Sequence, residues 1–107
     1  MKRIELKTVQ AIIRGEKTQL IYRTNIRQLL IAPIDPDAGT SFSEMAEIIP
    51  ILEKFAQADG DYLLLEDAEH ALVSARLQAA RFVENSVDLF DMVRSVIEAP
   101  EYDVKSK

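Results

Sequence analysis

Residues 8–22, TVQAIIRGEKTQLIY (Thr8 to Tyr22), decide whether this chain is wholly helical or mixed. Read as a helix, Thr8 to Arg14 is a turn stopped by Gly15 as a C′ residue. Read as strands, the same residues run into a Gly15-Glu16 turn from which Gln19-Leu20-Ile21-Tyr22 returns. Periodicity within the stretch does not separate the two. The residues before it do carry a period: Ile4 and Leu6 alternate with Arg3 and Glu5, as in a half-buried strand.

Downstream, the pattern is helical. Thr24 or Asn25 offers an N-cap, and Ile26, Leu29 and Leu30 recur on one face before Pro33, which predicts a helix near 25–31. Ile34 to Thr40, with Pro36 and Gly39, reads as a loop that follows directly on Pro33. Ser41-Phe42-Ser43-Glu44 is a capping box that opens a helix over 42–57. Its expected core stripe is Phe42, Met45, Ile49, Leu52 and Ala56, widened by Ile48 and Phe55. Pro50 falls inside it, which predicts a kink or a split with the ring toward solvent.

Asp59-Gly60-Asp61 is a turn, and Tyr62 to Leu65 reads as a short buried strand. Asp67 is the expected N-cap of a helix over 67–82, with Leu72, Ala75, Ala79 and Phe82 inward. After Asn85-Ser86 a last helix is expected near 87–98, ended by Pro100, with Phe90 buried close to Phe82 or Phe55. The expectation is therefore an α+β fold, mainly helical. About four helices pack with a small amino-terminal strand or hairpin and one short central strand. Residues 1–107 form one domain: a basic strand-like part (1–24), a helical part (25–100) and a polar tail (101–107).

The net charge of −5 conceals two opposed parts. Residues 1–28 carry Lys2, Arg3, Lys7, Arg14, Lys17, Arg23 and Arg27 against two carboxylates, a balance of +5. Residues 29–103 carry sixteen carboxylates against four basic side chains, a balance of −12. Such segregation speaks of partners and assembly more than of chemistry. The seven basic residues are the candidate interaction group. Nucleic acid is disfavoured as their partner, because they interleave with apolar positions and the acidic remainder repels a phosphate backbone.

Composition also trims the reactions available. No cysteine and a single histidine exclude thiol nucleophiles, thiolate zinc sites and multi-histidine metal centres. Three isolated glycines spell neither a P-loop nor a dinucleotide fingerprint. Asp35-x-Asp37-x-Gly39 begins like a calcium loop but has Thr40 where the loop glycine belongs and Ala46 where the bidentate Glu belongs. Glu66, Asp67, Glu69 and His70 are the densest titratable cluster, and a helix start enriched in acids explains the same letters. His70 reads as a surface residue. No catalytic residue, metal or cofactor is assigned. No apolar run approaches the roughly 20 residues of a membrane span, and the basic start lacks a signal-type apolar stretch, so a cytoplasmic protein is expected.

Tyr22-Arg23-x-x-Ile26-Arg27-x-Leu29-Leu30-x-Ala32-Pro33, the Gly39-Thr40 loop, Ser43-Glu44-Met45 and Leu64-Leu65-Glu66-Asp67-Ala68 form a layout continuing to Pro100. This layout resembles small uncharacterised proteins encoded in gene clusters of tailed bacteriophages and prophages. The resemblance implies a genomic setting and no reaction. The function expected is non-catalytic: a protein–protein interaction or assembly role, with a homo-oligomer as the leading form. An acidic inhibitor or mimic acting on a nucleic-acid-handling protein is the alternative, and a small carboxylate-dependent enzyme is third.

Overall fold

The computed structural model describes residues 1–13, 15–32, 37–80, 82 and 86–102. Arg14, Pro33, Asp35, Pro36, Asn85 and residues 103–107, each used in the sequence reading, lie outside them. The chain is α+β, with four helices and two small antiparallel sheets among the described residues.

The deciding stretch is a hairpin. β2 (Thr8–Ile13) pairs antiparallel with β3 (Glu16–Ile21) in a register running from Thr8↔Ile21 to Ile13↔Glu16. Gly15, at φ 76°, takes the left-handed conformation that a two-residue hairpin turn needs. Alternation does the rest: Ala11 and Leu20 are buried, whereas Thr8, Gln10, Ile12, Lys17, Gln19 and Ile21 form an exposed outer face. β1 (Lys2–Glu5) pairs instead with β4 (Tyr62–Leu65), placing Ile4 and Leu65 in the core.

Among the described residues β1 has β4 on one side only, so its other side is a sheet edge. Its amino-terminal end is covered: the Arg3 amide donates to the Pro100 carbonyl at 3.0 Å and the Tyr102 amide to the Met1 carbonyl at 2.8 Å. The carboxy-terminal segment thus satisfies part of the edge that β4 leaves unpaired.

The helices are α1 (Tyr22–Ile31), α2 (Phe42–Gln57), α3 (Asp67–Ala79) and α4 (Val87–Ile97). α1 starts three residues before the expected Asn25 cap. Its N-cap is Ile21, and the Tyr22 amide donates to the Lys7 carbonyl, so the helix springs directly from the hairpin with no side-chain cap. α2 has the expected capping box: the Glu44 amide donates to Ser41 Oγ, and the Ser41 amide to Glu44 Oε1, both at 3.1 Å. It runs unbroken through Pro50, whose ring is exposed.

The inward faces differ from the expected stripes. α2 buries Ile48, Ile51 and Phe55, leaving Phe42, Met45 and Ile49 exposed. α3 buries Val73, Arg76 and Leu77, while Ala75 and Ala79 are exposed. It is capped by Glu66 in place of Asp67, with the Glu66 amide donating to Glu69 Oε1 at 2.9 Å. It ends before Phe82, which is 41% exposed; Phe90 on α4 is 61% exposed, with Arg94 set 5.9 Å from its ring. Both phenylalanines were expected in the core. In α2 the apolar arc is wider than its neighbours cover, and its Ile48 and Phe55 edge turned inward in place of the Phe42, Met45 and Ile49 edge; Phe82 lies beyond the end of α3.

Candidate functional site

The six basic candidates among the described residues spread over β1, the β1–β2 connection, β3 and α1. Lys2 Nζ lies 3.0 Å from Glu101 Oε1, and the terminal amine lies 3.3 Å from Glu101 Oε2. Hydrogen bonds from Lys2 and from the amino terminus hold the Glu101 carboxyl below the usual carboxylate value. The Arg3 guanidinium sits 4.6 Å from the centroid of the Tyr62 ring, which itself packs 5.9 Å from Tyr102. A hydrogen bond with Tyr102 raises the Tyr62 phenol above its ordinary value. Lys7 Nζ stands 5.5 Å over Tyr22. Arg23 and Arg27 are half-buried on α1, Lys17 is exposed on β3, and Arg14 is outside the described residues. Three of the group thus face partners within their own fold.

The titratable cluster Glu66, Asp67, Glu69 and His70 does not converge on a point. Glu69 pairs with Lys54 Nζ at 2.7 Å, and Asp67 faces the amino terminus at 3.9 Å. Burial pushes the Glu69 carboxyl up, but the Lys54 hydrogen bond, the Glu66 amide and the Lys54 charge outweigh it and hold it low. His70, expected at the surface, is half-buried, and its Nε2 lies 2.8 Å from the Val96 carbonyl, joining α3 to α4. A carbonyl only accepts, so Nε2 carries the proton and donates. Among the described residues no three His, Asp or Glu side chains are grouped to hold a metal ion.

Two features were not picked out as sites in the sequence. Arg76, 5% exposed, donates through Nη2 to the carbonyls of Leu30 and Ala32 at 3.1 and 3.2 Å, with Glu44 Oε2 3.8 Å from Nη1. Its signal was its place three residues after Val73, on the inward stripe of α3. The second is the solvent strip of α2: Phe42 is 80% exposed, Met45 40% and Ile49 46%, spaced to lie on one side of the helix. Its signal was the excess width of the apolar arc that also contains Ile48, Ile51 and Phe55. Glu53, one turn beyond Ile49, and Glu47 are exposed on the same helix.

Comparison with protein families, with curated proteins and with solved structures finds no match to this chain. Among the described residues no helix is long and apolar enough to cross a membrane.

Proposed function

We propose that this is a non-catalytic protein–protein interaction protein acting in assembly. Its setting is the cytoplasm, in the phage or prophage context that the sequence layout implies. The observation that supports this is the strip Phe42, Met45 and Ile49: three large apolar side chains in a row on α2, along the edge of the same apolar arc whose other edge, Ile48, Ile51 and Phe55, is committed to the core. Leaving such a row in solvent forgoes the burial of its exposed area, at about 25 cal/mol per Å², and aligned exposed apolar residues mark contact surfaces. Glu53, exposed one turn beyond Ile49 on the same side of α2, in a chain of net charge −5, favours a partner whose apolar row continues into a cation. The fitting occupant is a basic amphipathic helix of another protein, laid along α2.

A fluorescent model helix of leucine and lysine at amphipathic spacing tests this. Wild-type protein should bind it, its leucine–glutamate counterpart should bind at least tenfold more weakly, and Phe42→Ser/Ile49→Ser should lose tenfold or more in affinity. Equal binding by the double variant, or none by wild type, overturns the α2 surface.

A further inference from the structure

We infer that the outer edge of β3 pairs with the same edge of a second copy, antiparallel and centred on Gln19, to form a four-stranded sheet across a twofold axis. This rests on the assembly reading above but on a different surface.

The hydrogen bonding of the hairpin identifies the edge. The Ile12 amide leaves β3 and donates to Asp88 Oδ2 at 3.2 Å, so the outer edge of β2 faces the start of α4. Ile12 is registered with Lys17, and in an antiparallel pair such opposite residues point their backbone groups the same way relative to the ladder, here outward. By alternation the N–H groups of Lys17, Gln19 and Ile21 all point away from β2. The Tyr22 amide, one residue on, points back toward the Lys7 carbonyl as this alternation requires. Among the described residues no hydrogen bond reaches that outer row. A strand edge left open in this way is a template for a further strand.

What fits the edge best is the edge itself. With Gln19 on the axis, Gln19 exchanges both backbone hydrogen bonds with its counterpart, and each Ile21 amide meets the Lys17 carbonyl of the other copy. Gln10 and Gln19 are paired and exposed on the outer face, so the assembled sheet carries four glutamines in one row, an amide ladder only self-pairing produces. Lys17 comes opposite Ile21 of the second copy, not opposite another lysine. At each end Glu16 approaches the start of the other copy's α1. That start has no side-chain cap, has no acid in its first turn and carries Arg23. A carboxylate there meets opposite charge.

The chain contains no cysteine, so a single introduced thiol reads the register. Sedimentation of the wild-type chain should show a dimer whose mass depends on concentration and survives ~1 M salt, where surface charge pairs are screened. Gln19→Pro removes only an outward amide; it should leave the circular dichroism unchanged and raise the dimer dissociation constant at least tenfold. Gln19→Cys should form a disulfide-linked dimer under mild oxidation, since hydrogen-bonded partners stand about 5.5 Å apart at Cα. Thr8→Cys should not. A wild-type monomer at every concentration, or failure of Gln19→Cys to crosslink in a folded dimer, overturns the edge pairing. Neither result touches peptide binding on α2, so the two readings fail separately.

Discussion

Arg76 Nη2 donates to the Leu30 carbonyl across 3.1 Å, joining residues 46 positions apart in the chain. α1 has no basic residue in its last turn, so its carboxy-terminal carbonyls lack the cation that usually faces that end of the dipole. α3 supplies it. The same guanidinium lies 3.8 Å from Glu44, itself fixed by the capping box of α2, so one buried side chain ties three helices.

Removing that tie takes the donor from the Leu30 carbonyl, on a buried residue, and from the Ala32 carbonyl at the surface end of α1. Arg76→Ala should lower unfolding free energy by about 3 kcal/mol, and Arg76→Lys should recover less than half of the loss, because one ammonium does not reproduce the planar fork. Urea titration with both variants measures the two values.

Phe55 and Phe90 should respond in opposite ways. Phe55 is fully buried, so Phe55→Ala should cost about 3–5 kcal/mol, while Phe90→Ala, at a side chain 61% exposed, should cost under about 1 kcal/mol. Comparable losses at the two positions in thermal melts would place Phe90 in the core.

Pro50→Ala should leave stability unchanged or raise it by about 1 kcal/mol. The ring faces solvent in an unbroken helix, and alanine restores the missing amide while the exposed side requires no repacking. A lower midpoint in chemical denaturation would show that the proline is needed for the path of α2.

Acid should weaken the fold in a defined direction. The Glu44, Glu69 and Glu101 carboxyls are all held below their ordinary values: Glu44 first by its hydrogen bonds with Ser41, Glu101 first by Lys2, and Glu69 by Lys54 and the Glu66 amide against the opposing effect of burial. Depressed carboxylates contribute stability above the unfolded value, near pH 4.3, and lose it as pH falls through the lower folded values. The melting temperature should therefore fall between about pH 4.5 and 3, and Glu69→Gln should flatten that dependence. An equal slope in the variant would remove Glu69 from the set.

Much of this molecule was determined by local sequence. Ser41 and Glu44 announce the start of α2 through a capping box that needs only three residues of spacing, and Gly60 and Pro100 mark the ends of segments for steric reasons independent of context. The alternation at Ile4 foretold a strand for the same reason: period and caps are properties of the chain itself. Residues 8–22 satisfy both a helical turn and a hairpin locally, and the choice fell to the hairpin when Ala11 and Leu20 found a core on one side. Which edge of a wide apolar arc turns inward was likewise decided by neighbours, burying Ile48, Ile51 and Phe55 while Phe42, Met45 and Ile49 stayed out. The spacing of Arg76 from Val73 was in the sequence, but its partners belong to the tertiary level, because they are carbonyls at the end of another helix and backbone acceptors leave no letter in the sequence.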